Sequence, residues 1–396
     1  MNSSLENLQP YPFQKLAGLL KDLTPNTSLS PIGLHIGEPK HATPEFIKQG
    51  VINSIEELAH YPTTHGTNWL RASIATWLAQ RYQLGDINPD TQVLPVNGSR
   101  EALFAFAQTI VDSHVTPRPV VVCQNPFYQI YEGAALLAGA ELFFLNSLSE
   151  NQFAPQWSQL SEQIWARTQL VYICSPNNPT GRTMALEDWQ SLFALSDRYG
   201  FVIAADECYS EIYFDEAHPP LGALQAAEQS GRSGFSRLVV FGSLSKRSNV
   251  PGLRSGFIAG DTAILKKFLL YRTYHGSAMN PAVQAASTLA WSDEQHVIEN
   301  RRLYRQKFED AMEILADALP VKMPEAAFYL WLKTPISDTD FCRRLYREKN
   351  VIVLPGSYLA READGVNPGE NFIRVALVSS VAECRDAIER IRDISS

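Results

Sequence analysis

Between residues 92 and 259 the sequence alternates seven short apolar runs, at 92–96, 119–123, 141–145, 170–174, 201–205, 238–241 and 256–259, with segments of amphipathic helical spacing such as 101–111, 131–138 and 186–199. Each run is continuously apolar rather than alternating, the pattern of a strand buried on both faces. Such strands separated by helices predict an α/β lobe: one mostly parallel seven-stranded sheet, covered by helices, with ligands gathering at the carboxyl ends of the strands. After about residue 281 the texture changes to a long helical pattern over 297–319, apolar stretches at 327–333, 351–354 and 372–377, and helical patterns at 339–348 and from 381 onward. That mixture predicts a smaller α+β lobe. We expect a large lobe over residues 40–280 and a small lobe made from 1–39 and 281–396, with Pro39 and Pro44 punctuating the crossing.

The chain of 396 residues carries 34 Lys plus Arg against 42 Asp plus Glu, a formal net charge of −8. An acidic chain with no basic run is a poor ligand for a polyanion, so nucleic acid is not an expected partner. The five cysteines are scattered, with no Cys-x-x-Cys and no His-x-x-x-His spacing, which predicts reduced, mostly buried thiols and no metal site. The amino-terminal segment lacks the basic start and apolar run of a signal peptide, and no stretch reaches the roughly 18 apolar residues of a membrane span. A cytoplasmic protein is expected.

The residues able to carry chemistry stand at the ends of the apolar runs. Phe241-Gly-Ser243-Leu-Ser245-Lys246 sets one lysine among hydroxyls, with Arg254 eight residues further on. A partly desolvated lysine beside other positive charge is held near neutrality, the state in which an amine condenses with an aldehyde. Hydroxyls, backbone N–H groups and a fixed guanidinium are what a phosphate requires. Asp206 ends the run 201–205, with Tyr209 three residues on. A carboxylate in apolar surroundings demands a cationic or N–H partner, and a protonated pyridine nitrogen is one; a capping Asp beside a packed Tyr is the alternative.

Ser175-Pro-Asn-Asn178-Pro-Thr-Gly181 follows another run, and its prolines and glycine make a rigid turn that holds the Asn178 amide in one pose. Val96-Asn-Gly98-Ser99-Arg100 leads into a helix start, which is either a phosphate site or an ordinary cap. The absence of Gly-x-x-x-x-Gly-Lys-Ser/Thr and of Gly-x-Gly-x-x-Gly disfavours nucleoside triphosphates and dinucleotides. Phe127, in Asn125-Pro-Phe-Tyr128, offers a face to a flat ring or packs in the core. Arg374 lies inside an apolar stretch and needs an anion there, either a substrate carboxylate gripped in a fork or an internal Asp or Glu.

In combination these motifs resemble the fold-type-I, pyridoxal 5'-phosphate-dependent aminotransferases of class I/II, from Ile36-Gly37-Glu-Pro to Arg374. The resemblance implies that Lys246 bonds the cofactor aldehyde, Asp206 meets the pyridine nitrogen, and Tyr209 and Asn178 flank the ring oxygen. It implies a phosphate cradle of Gly98, Ser99, Ser243 and Arg254, with Arg100 and Ser245 in the same loops, and Phe127 stacked on the ring. Arg374 is implied to clamp the substrate α-carboxylate, with Gly37 and Asn178 beside it. Tyr61 matches a tyrosine that reaches the partner subunit's phosphate, which implies a homodimer.

The segments Lys246-Arg-Ser-Asn-Val-Pro-Gly-Leu-Arg-Ser-Gly and Leu354-Pro-Gly-Ser-Tyr-Leu-Ala-Arg further resemble the bacterial N-succinyldiaminopimelate aminotransferases of lysine biosynthesis. The implied substrates are glutamate with 2-oxoglutarate, and N-succinyl-2-amino-6-oxopimelate. Arg247, Arg100 and His65 are the candidates for its distal carboxylate. Other class I/II specificities (alanine, aspartate, aromatic) and a carbon–sulfur β-lyase use the same apparatus. A cofactor-binding regulator on this fold would need a DNA-reading module, which the sequence does not show.

Overall fold

The computed structural model describes residues 2–395. In chain order its strands are β1 (Ile32–Gly33), β2 (Val93–Val96), β3 (Val120–Asn125), β4 (Glu141–Asn146), β5 (Thr168–Cys174), β6 (Val202–Asp206), β7 (Leu238–Ser243), β8 (Gly256–Gly260), β9 (Tyr329–Lys333), β10 (Val351–Ile352), β11 (Leu354–Pro355) and β12 (Phe372–Ala376). Seven of them form one sheet in the order β2-β8-β7-β6-β5-β3-β4. Only β8 runs against the rest, antiparallel to both β7 and β2. The mostly parallel sheet expected from the seven apolar runs is therefore present.

Alternate side chains of each strand enter two separate cores, as the pleat requires. Val120, Val122, Val171, Ile173, Ile203 and Val240 point into one. Val121, Cys123, Leu170, Tyr172, Val239 and Phe241 point into the other. Burial on both faces is why the runs are uninterrupted in the sequence. Because these strands share one direction, Gly98, Asn125, Asn178, Asp206 and Lys246 all lie at or just past strand ends on the same edge. The reversed β8 brings Arg254 to that edge from its own amino-terminal side.

The remaining strands belong to a second core. β11, β12 and β9 form an antiparallel sheet, and β1 pairs with β10. Helices Gln295–Leu315, Asp338–Lys349 and Val381–Ser395 cover it. Ile32 and Leu34 pack in this core together with Phe308, Phe341 and Ile388. The helix Pro281–Trp291, which the sequence places beyond the lobe boundary, instead buries Ala286, Ala290 and Trp291 in the core of the large sheet. Its small, apolar face fits against the helix Glu45–Asn53, where Gly50 lets Ala286 approach. The five cysteines are unpaired and four are buried. Among the described residues no helix is long and apolar enough to cross a membrane.

Candidate active site

A cavity of about 490 Å³ opens between the strand-end edge of the large sheet and β9 and β12 of the small one. Lys246 lies on its wall, in the short helix Leu244–Arg247 that follows β7 directly. Ser243 caps that helix, its Oγ accepting from Ser245 N–H at 3.1 Å, so the turn that presents the lysine is written into Ser-x-Ser-Lys. Lys246 Nζ donates to Gly37 O at 2.9 Å. Burial pulls its pKa down to about 8; Cys208 opposes that shift, and Arg374, Arg100 and Arg254 reinforce it.

Asp206 ends β6 with only 4% of its surface exposed. Tyr131 O–H donates to its Oδ2 at 2.7 Å and Cys208 N–H to its Oδ1 at 3.2 Å. Burial raises its pKa against these bonds, and no ion pair reaches it among the described residues. Tyr209 shares a 2.9 Å hydrogen bond between phenol oxygens with Tyr329, and burial holds the Tyr209 phenol well above its ordinary range. Asn178 Oδ1 accepts from Arg374 Nη1 at 2.9 Å, inside a turn closed by Gly181 N–H on Asn177 O.

Arg374 is buried in β12, gives Nη2 to His35 O at 2.9 Å, and lies 4.5 Å from the Tyr329 ring centroid. Among the described residues it meets no carboxylate, and its Nε has no hydrogen-bond partner. The internal Asp or Glu partner weighed from the sequence is thus not what holds it.

At the other end of the cavity stand Ser99, Ser243, Ser245 and Arg254. Gly98 precedes the helix Ser99–Ile110 at φ 82°, and no side chain caps that helix start. A Cβ on Gly98 would lie 2.1 Å from Arg254 Nη2, so glycine is required for the guanidinium to reach the helix N-terminus. Arg100 also lines the cavity, donating Nε to Tyr128 Oη at 2.6 Å between the rings of Tyr128 and Tyr11.

Four expected residues lie elsewhere. Phe127 is 1% exposed and packs on Phe144 behind the wall; its neighbour Tyr128 lines the cavity in its place. The Phe127 N–H is tied to Leu359 O, a contact 232 residues away in sequence that sets which of the two rings faces inward. Arg247 is buried between Trp77 and Trp291 and paired with Glu294, away from the cavity, because a charge there needs its own partner. His65 Nε2 donates to Asp90 O at 3.2 Å, outside the cavity. Tyr61 is fully exposed and does not line the cavity of its own chain. Sequence assigns no role to Tyr128, Tyr131 or Tyr329; Tyr131 reads there as a position in an amphipathic helix, and Tyr128 stands beside Phe127 in Asn125-Pro-Phe-Tyr128.

Residues 30–391 match the family described as aminotransferase class I and II. An aminotransferase from Neisseria meningitidis Z2491 is 52% identical over 100% of both chains, with a TM-score of 0.97. Aminotransferase AspB from Helicobacter pylori 26695 is 35% identical over 98% of both, with a TM-score of 0.90. An LL-diaminopimelate aminotransferase from Syntrophobacter fumaroxidans is 31% identical over 99% of this chain and 98% of its own. With a lysine, an aspartate and unpaired arginines gathered at the strand ends of this fold, the chain belongs to the class I and II aminotransferases, enzymes that depend on pyridoxal 5'-phosphate.

Proposed function

We propose that the cavity binds the cofactor through Lys246 and transaminates an α-amino dicarboxylic compound, with N-succinyl-2-amino-6-oxopimelate as acceptor and glutamate as donor. The observation that carries this reading is the charge pattern: Lys246, Arg100, Arg254 and Arg374 surround one cavity, and none of them is paired with a carboxylate among the described residues. The donor set fits the cofactor. Asp206, buried without a cation, suits the protonated pyridine nitrogen, and Tyr209 and Asn178 suit the ring oxygen. Arg254, Ser99, Ser243, Ser245 and the uncapped helix start behind Gly98 suit the phosphate. Tyr128 takes the stacking role read from sequence for Phe127.

The bound cofactor supplies an electron sink for the substrate Cα. Lys246 Nζ, its pKa lowered by burial and by the nearby arginines, would move the proton of the substrate Cα, acting first as base and then as acid. Arg374 grips the α-carboxylate with its fork and fixes which Cα bond stands ready to break. One arginine serves both half-reactions, since donor and acceptor carry the same carboxylate. The free Nη groups of Arg100 suit the distal anion.

A second reading, LL-diaminopimelate as the substrate, is favoured by the activity named for the Syntrophobacter relative and by Glu38, a carboxylate in the cavity lining suited to a second ammonium. Two arms with purified holoenzyme separate the readings: glutamate with the succinylated oxo acid, followed as 2-oxoglutarate released, and LL-diaminopimelate with 2-oxoglutarate, followed as glutamate formed. Turnover of the succinylated acceptor supports the first. Turnover of LL-diaminopimelate without it overturns the first in favour of the second.

A homodimer is part of the proposal. Ile52, Ile55, Leu58, Tyr61, Trp69 and Leu289 are exposed apolar side chains on and around two packed helices, the kind of surface a second copy would cover.

A further inference from the structure

Outside the cavity wall, a buried line of polar side chains runs from the small lobe to the backbone of the lysine-bearing helix. We propose that Asn300 is a positioning residue for Lys246, capping the carboxyl end of its helix and, through His41, tying that helix to Lys307. The inference rests on the reading of Lys246 as the lysine that bonds the cofactor.

The helix Leu244–Arg247 has four residues, so its last carbonyls have no partner within the helix. Asn300 Nδ2 donates to two of them, Lys246 O at 3.2 Å and Arg247 O at 3.4 Å. Those carbonyls only accept, which fixes the amide: its nitrogen faces them and its oxygen faces away. Asn300 Oδ1 then accepts from Asn249 Nδ2 at 3.0 Å and from His41 Nδ1 at 2.7 Å. With its proton on Nδ1, neutral His41 offers Nε2 to Lys307 Nζ, 2.6 Å away, and Lys307 also donates to Leu377 O at 3.1 Å. Burial, then Lys307, pushes the His41 pKa down to about 4, so the neutral form persists at working pH. Every donor in the line points the same way, from Lys307 toward the Lys246 carbonyl.

The strand of chain around His41 holds the lysine a second time. Gly37 O accepts from Lys246 Nζ, and Thr43 Oγ1 donates to Asn249 O at 2.6 Å. Lys40 Nζ reaches Ser379 Oγ, in the small lobe, at 3.1 Å. Residues 37–43 thus grip the amine at one end and the chain just past its helix at the other, while being fastened to the lobe that carries Arg374. A displacement of helix Gln295–Leu315 reaches the backbone of Lys246 directly.

The test uses Asn300→Ala, His41→Ala, the conservative His41→Asn, which keeps a donor in the Nδ1 position, and Lys307→Met. One readout is steady-state kcat and KM of the holoenzyme with glutamate. The other is the pH midpoint for acetylation of Lys246 by acetic anhydride in cofactor-free protein, followed by mass spectrometry. Around that amine lie Arg374, Arg100, Arg254, Cys208 and Asp206, none of them altered by these variants; His41 itself faces Lys307 and Glu299. Asn300→Ala is expected to lower kcat about tenfold or more, with KM within about twofold, as misplacement of a reacting group does. It should also raise the acetylation midpoint above that of the wild-type protein, because an amine displaced from its buried, cationic setting regains basicity. His41→Ala should follow it, and His41→Asn should recover most of kcat.

If Asn300→Ala does not fold, His41→Ala against His41→Asn and Lys307→Met carry the same comparison. Folded variants that lose thermal stability while kcat and the Lys246 midpoint stay at wild-type values overturn the proposal. Failure of the underlying lysine assignment would show separately, as retained turnover in Lys246→Ala.

Discussion

Arg374 offers the sharpest test of how this cavity selects substrates, because its surroundings already account for the cost of keeping it. The guanidinium is 4% exposed and held by Asn178 Oδ1 and His35 O, two neutral acceptors, over the Tyr329 ring. A buried cation with only neutral partners is poised for an anion. Removing one member of a buried, hydrogen-bonded charge pair costs about 2–5 kcal/mol of binding. At about 1.36 kcal/mol per decade, Arg374→Leu should therefore lower kcat/KM roughly 30-fold to 5,000-fold. Arg374→Lys keeps the charge and loses the fork, so a loss of about 1.5–3 kcal/mol, roughly tenfold to 150-fold, is expected.

Stability should move much less. Two acceptors lose a donor, at about 1 kcal/mol each, while a desolvated charge disappears with the side chain. The assay is steady-state kcat/KM for the amino donor and the oxo acceptor separately, with thermal unfolding as the control for folding. Both substrates present the same α-carboxylate, so both values should fall together. A folded Arg374→Leu enzyme within threefold of wild type, or a loss confined to one substrate, refutes the reasoning.

Two further outcomes follow from groups near the site. Burial pushes the Glu207 carboxyl up to about 7, against bonds from Ala223 N–H and Tyr82 O–H. A carboxyl raised in the folded state contributes stability that is complete below its unfolded pKa and lost as the pH climbs to about 7; Glu207→Gln should flatten that decline in a thermal-unfolding series from pH 4 to 8, and an unchanged slope would remove Glu207 as its source. The apolar surface around Trp69 and Leu58 should bury itself in a homodimer, so Leu58→Asp with Trp69→Asp should reduce the sedimenting mass by half and weaken cofactor retention; a wild-type protein that sediments as a monomer at micromolar concentration would refute the interface.

What was legible in the sequence was what the chain builds locally. Lys246, Asp206, Asn178 and Gly98 each lie within a few residues of the end of a buried strand, and parallel strands sharing one edge bring such ends together whatever the loops do elsewhere. Phe127 and Tyr128 show where that logic stops. Past the last residue of β3 the strand no longer dictates which neighbour points inward, and the choice falls to Leu359 from the far end of the chain. Arg247 stops it in another way: it is adjacent to the site lysine in sequence, yet the turn of the helix sends it to the opposite side, where Trp77, Trp291 and Glu294 receive it.

The residues that sequence missed entirely act through partners far along the chain. Tyr131 reaches Asp206 across 75 residues, Tyr329 reaches Tyr209 across 120, and Asn300 reaches the Lys246 carbonyl across 54. Each reads as an ordinary core or helix position in its own segment, since hydrophobic periodicity records that a side chain is buried and not what polar atom it meets. The division has a physical consequence for how the site is built. The groups suited to cofactor and substrate come mainly from rigid strand ends, whereas Gly37, Asn300 and Tyr329 come from segments fastened to the other lobe, so the pose of the lysine depends on how the two halves are joined.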